Sequence, residues 1–139
     1  MPRFAQIADM VTRYGAQHLA QLSDGPDADT PDAARVTRAL DDADALIDGY
    51  VARRHADTTR FDGHPLLMPV AVALAYDRLW TSDRPDHVKQ DTDRAMKTLD
   101  AVSAGRILLD RGTEAEAPRP GQIAHSSGRV FDRDSLGGF

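Results

Sequence analysis

Between Val70 and Trp80 the chain offers almost nothing to water. Val70, Val72, Ala73, Leu74, Ala75, Tyr76, Leu79 and Trp80 dominate the stretch, and only Asp77 and Arg78 carry charge. A helix apolar on most faces is buried on most faces. The segment therefore predicts a central core helix that other elements must surround, with Trp80 closing its end. An interior proline removes a backbone hydrogen bond, so the helix should begin between Pro65 and Pro69, with Pro69 close to its start. No apolar run approaches the ~18 residues of a membrane span, and no membrane association is expected.

The partners of that helix are legible as amphipathic stripes. Phe4, Ile7, Met10 or Val11 and Tyr14 recur at helical spacing, and Gly15 ends that run. A short helix follows around Ala16–Leu22. Thr30-Pro31 reads as a hydroxyl N-cap and a proline at the first helical position. From there Val36, Leu40, Ala43, Ile47 and Tyr50 form one apolar stripe to about Arg54. Asp41, Asp42, Asp44 and Asp48 read as a solvated face beside it. After a polar turn over 81–84, Pro85 starts a last helix with Val88, Ala95, Leu99 and Val102 on its stripe, stopped by Gly105. Gly105 to Leu109 reads as a short extended segment leaving the bundle. The fold class is all-α, a small four-to-five-helix bundle over residues 1–110. Its core is predicted to include Val36, Leu40, Ile47, Tyr50, Leu74, Tyr76, Leu79, Trp80 and Leu99.

Residues 111–139 have another character. They hold five of the ten glycines, two of the eight prolines and no helical period. Such a composition does not bury enough apolar surface to offset its own ordering entropy. Yet Val130, Phe131, Leu136 and Phe139 are apolar, and Arg129 and Arg133 stand among them. An extended, irregular C-terminal arm is the expected form, with these six residues as its contacts to a partner.

Chemistry finds little purchase. At 139 residues the chain fits one domain, since single domains peak at roughly 100–150 residues. Zero cysteines exclude disulfides and thiolate chemistry. The start, Met1-Pro2-Arg3-Phe4, lacks the apolar stretch of a signal peptide, so a cytoplasmic protein is expected. Net charge is −5, with 17 basic residues interleaved among 22 acidic ones, and no basic stripe marks a nucleic-acid binder. The short Ala16–Leu22 helix lacks the Arg and Lys that a DNA-reading helix needs. The loop Asp24–Asp29 has its glycine second and no later Glu, unlike a calcium loop. His18, His55, His64, His87 and His125 form no HxxxH or HxH pair, and read as surface or capping residues. Asp57, Asp62 and His64 would meet only through an accident of loop folding. No phosphate-cradling glycine motif or nucleophile elbow is present. No catalytic residue, metal or cofactor is expected, and the protein is not expected to be an enzyme.

Four stretches, taken in order, resemble the small connector proteins of Mu-like phages. These are FAQIADMVTRYGAQHLAQLSD (4–24), RVTRALDDADALIDGYVARR (35–54), PLLMPVAVALAYDRLW (65–80) and RVFDRDSLGGF (129–139). The second carries the family's Ala-Asp-Ala-x-Ile-Asp-x-Tyr-like helix at Ala43 to Tyr50. One departure is the loop His55–Gly63, longer and more polar than the family's Tyr-Pro turn. The resemblance implies a head–tail connector, also called an adaptor or head-completion protein. Such a protein forms a ring beneath the dodecameric portal, in the virion neck, and is made in the host cytoplasm. It implies contacts with portal, with neighbouring copies and with the tail or its terminator, while DNA passes through the lumen without specific binding. The rivals are a tail-completion or terminator protein and a small helical regulator that binds a protein partner.

Overall fold

The computed structural model describes residues 2–110. Those residues form an all-helical fold with no β-strand. The helices are α1 (Ile7–Tyr14), α2 (Ala16–Ser23), α3 (Ala33–Val51), α4 (Leu67–Leu79) and α5 (Asp86–Ser103), with a single 3-10 turn at Thr59–Phe61. Every residue from Val70 to Tyr76 in α4 is buried. Seven in a row exceed one helical turn of 3.6 residues, so α4 is covered on all sides. It packs most extensively on α3, then on α5, with α1 on a third side. Leu40, Ile47, Leu79 and Leu99 are at most 1% exposed. Val36 and Leu74 are buried and so is Tyr76, while Tyr50 and Trp80 lie half-buried against the cluster.

Helix boundaries follow from where backbone groups find partners. The helix expected from Phe4 starts instead at Ile7, because the amides of Arg3 and Phe4 are taken by Asp44 of α3. Gly15, at φ +86°, ends α1 and starts α2. The expected Thr30 cap and Pro31 first position give way to Asp32. Its carboxylate accepts hydrogen bonds from the amides of Ala34 (3.0 Å) and Arg35 (3.3 Å), satisfying two donors that a helix start leaves orphaned. Ser23 ties the elements together: its hydroxyl donates to Leu19 O and accepts from the Asp32 amide. That pairing permits its complete burial.

Pro69 is the third residue of α4, inside the first turn, where its missing N–H has no intrahelical partner to lose. The start of α4 is held by His64. Its carbonyl accepts from Leu67 (3.0 Å) and Met68 (2.9 Å), and its ring Nδ1 accepts from the Leu66 amide at 3.1 Å. Gly105, at φ +74°, ends α5. The segment after it does not leave the bundle as its sequence implied. The amides of Arg106 and Ile107 both turn back to Ala101 O, and Ile107 and Leu109 pack on the core.

Leu40 touches this core from the middle of α3, whereas Arg38 is exposed. Leu40→Ala is expected to cost about 2–5 kcal/mol of unfolding free energy, as buried leucine truncations do. Arg38→Ala should stay within about 0.5 kcal/mol. Urea titration of the two variants against the parent checks the contrast.

Candidate functional site

The six residues expected to meet a partner, Arg129, Val130, Phe131, Arg133, Leu136 and Phe139, lie outside the described residues. What the body itself presents is a polar clamp, an aromatic cluster and an apolar trough.

The clamp overturns one expectation. The aspartates of α3 are not a uniformly solvated face. Asp44 is buried and accepts hydrogen bonds from the backbone amides of Arg3 and Phe4. One turn on, Asp48 accepts from the Arg3 guanidinium at 2.9 Å and from the Thr58 hydroxyl. Asp62 takes the Arg3 Nε–H at 2.9 Å, and the Gly63 amide donates to Arg3 O at 3.0 Å. The result seats Phe4 and Ala5 at 1% and 2% exposure. Only Asp41 and Asp42 remain exposed on the face read as wet. The spacing did carry a signal. Val36, Leu40, Ala43, Asp44, Ile47 and Val51 fall at i, i+4, i+7, i+8, i+11 and i+15, which puts Asp44 inside the buried stripe. Nothing local in the sequence marks Arg3 as its partner.

Desolvation by burial pushes the Asp44 carboxyl above the ordinary aspartate value of 3.8, against the two backbone hydrogen bonds that pull it down. The Thr58 hydroxyl, and then the Arg3 guanidinium, hold Asp48 below that value.

The aromatic cluster joins α1, α2 and α4. Tyr14 stacks on Tyr76 with ring centroids 3.8 Å apart, and Trp80 meets Tyr76 edge-on at 6.1 Å. His18 Nε2 lies 2.5 Å from the Tyr76 hydroxyl. Burial raises the pKa of both phenols. The histidines expected at the surface or at caps thus divide. His64 caps α4, His18 is half-buried against Tyr76, and His55 is buried with its ring edge-on to Phe61. Asp57, Asp62 and His64 do not converge: Asp57 holds Thr59, Asp62 holds Arg3 and His64 holds α4. Among the described residues no three His or acidic side chains gather as metal ligands.

The trough runs along α4. One depression of about 280 Å³ lies between α4 and α5, with Leu66, Pro69, Ala73 and Thr98 in its lining. A second, about 190 Å³, lies between α1 and α4 around Met68 and Val72. Arg13 and Pro69 border both.

Residues 4–126 match the profile of the family described as Bacteriophage Mu, Gp36, and the chain belongs to that family. It is also similar to the Mu-like prophage FluMu protein gp36 of Haemophilus influenzae. The two are 28% identical over 147 aligned positions, covering all of this chain and 99% of the relative. The resemblance to Mu-like phage proteins read from four short stretches is borne out. The matched profile begins at Phe4, the first residue the clamp seats.

The clamp predicts two opposite pH effects. A raised native pKa means that the fold binds Asp44's proton more tightly than the unfolded chain. The associated stability is therefore full below about pH 3.8 and lost as pH rises through the native value. For Asp48 the sign reverses: its contribution is present above the unfolded value and lost as pH falls through the depressed native one. In Asp44→Asn, stability should climb more steeply with pH just above 3.8 than in the parent. In Asp48→Asn it should climb less steeply below 3.8. Thermal melts from pH 2.5 to 6 distinguish the two.

Proposed function

We propose that this chain is a structural virion protein, the head–tail connector of a Mu-like phage. It forms a ring under the portal in the virion neck and joins capsid to tail, and its C-terminal arm docks on portal or on a neighbouring subunit. The observation that supports this reading is a self-contained helical body in residues 2–110. α4 is enclosed by α1, α3 and α5, all within residues 2–110. Val130, Phe131, Leu136 and Phe139 fall outside the described residues, in a segment rich in glycine. Membership of the Mu Gp36 family supports the same reading.

In this reading the chain has no catalytic task and needs no cofactor. A portal ring repeats one site many times, and each protomer brings one arm. Many weak contacts closed into a ring give high avidity without a large interface per subunit. An arm of this kind adds as a strand to a sheet edge or lays side chains into grooves. Arg129 and Arg133 would then pair with carboxylates around the apolar anchors. Assembly takes place in the host cytoplasm, and the finished protein resides in the virion.

The direct test is removal of residues 129–139. Helix content by circular dichroism should stay within a few per cent of the parent, while attachment to portal and yield of finished particles are lost. Finished particles assembled from the truncated protein would refute the reading.

Charge gives a second expectation. With a net charge of −5 and only Lys89 and Lys97 as lysines, the chain should let DNA slide by through like-charge repulsion. Duplex DNA should show no micromolar affinity at physiological salt, measured by fluorescence anisotropy. Micromolar binding would contradict a passive lumen.

A further inference from the structure

The trough on α4 is an open apolar depression beside the core, flanked by α1 and α5. Its lining comes from Leu66, Pro69, Val70 and Ala73 on one side and Ala95 and Thr98 on the other. Met68, next to it, is a large hydrophobic left 37% exposed. Methionine there is apt for a receiving surface, because its unbranched, polarisable side chain adapts to irregular partners. Its two depressions, about 280 and 190 Å³, fall at or below the lower end of small-molecule sites, roughly 300–1,000 Å³. They suit single side chains spaced along a peptide better than a whole ligand.

We propose that this trough receives residues 129–139 of a second copy of the chain. The assignment rests on the connector reading and names the receptor that the arm would use.

Charge fits in both signs. The trough is rimmed by Arg13 and Arg94 and by Asp9 and Asp91. The segment carries Arg129, Asp132, Arg133 and Asp134 close to Val130, Phe131 and Leu136. Within the body, Arg94 and Asp91 pair at 3.5 Å with the arginine side chain 75% exposed. An exposed pair of that kind contributes little, on the order of 0–1 kcal/mol, and exchanges readily for an incoming partner.

Reach and position fit as well. Leu109 O lies 3.3 Å from His64 Nε2, and the same ring's Nδ1 accepts from Leu66, a trough residue. His64 thus links the end of the described chain to Leu66 in the trough lining, while Asp110 pairs with Arg60. Residues 111–128 then intervene. A segment of that length spans from about 23 Å as a coil to about 60 Å fully extended. A body of this size has a radius of gyration of about 13 Å, so an adjacent copy lies within range. Arm and trough are different surfaces of one molecule, and their contact is heterologous. Repeated from copy to copy, such contacts close a ring when the rotation permits.

The absence of cysteine makes a clean test on the full chain. Two separate variants, Thr98→Cys in the trough and Ser135→Cys in the arm, are mixed and treated with a short bis-maleimide. The expected product is a mixed dimer, in yield at least tenfold above either variant alone. Arg94→Glu in the Thr98→Cys protein should lower that yield several-fold, since Arg94 lies on the rim and not in the core. Absence of the mixed dimer overturns the assignment. So does a doubly substituted chain that cross-links only within itself, because the trough would then hold its own arm. An Arg94→Glu yield equal to the parent's overturns it too. If no mixed dimer forms yet removal of 129–139 still abolishes attachment to portal, the trough assignment alone falls and the connector reading stands. If the truncated protein completes particles, the connector reading itself falls.

Discussion

A helix that buries seven consecutive residues demands neighbours in every direction, and the rest of this molecule is arranged to supply them. Val70 to Tyr76 leave α4 no solvent face. α3 provides the longest flank, α5 a second and α1 a third. Each of these is itself amphipathic and meets α4 with a narrow stripe, so water reaches only their outer sides. The aspartate-rich composition makes this dependence sharper. Asp is a poorer helix former than Glu, and Asp32, Asp41, Asp42, Asp44 and Asp48 all stand at the start of α3 or within it. Packing on α4, not intrinsic propensity, holds that helix in place.

Polar groups take part in the packing instead of merely facing outward. Asp44 sits in the buried stripe of α3, where a carboxylate is costly unless hydrogen-bonded. It meets that condition by accepting from two backbone amides, that of Phe4 buried and that of Arg3 partly so. Arg3 extends the arrangement to Asp48, Asp62 and Thr58. The loop between α3 and α4, polar in sequence, is thereby drawn against the start of the chain. Its His64 then organises the first turn of α4. Aspartates, loop and N-terminal strap form one connected unit.

Most of the fold was legible from periodicity. The stripes of α3 and α5 and the all-apolar α4 give helix type, order and most of the core, because 3.6-residue spacing is a strong and local signal. What escaped was non-local. Phe4 fits the stripe of α1 by spacing, yet it lies outside that helix, since Asp44, forty residues away, takes its amide. Thr30-Pro31 looks like a helix start, but Asp32 offers the better-placed oxygen. Leu109 reads as leaving the body, yet the turn back to Ala101 O and the contact with His64 return it. For the same reason the trough could not be read in advance: its walls come from α1, α4 and α5 at once. The arm residues were singled out from composition and from the resemblance of 129–139, and Arg129 to Phe139 lie beyond what the structure describes.

The clamp also orders events in time. Arg3 meets Asp44 and Asp48, then Asp62, only after those residues have left the ribosome. At about 5–20 residues per second, the fifty-nine positions from Arg3 to Asp62 take roughly 3–12 s to be made. Throughout that interval Phe4 remains an uncovered aromatic on a nascent chain. The fold is thus sealed at Phe4 by residues synthesised some forty to sixty positions later.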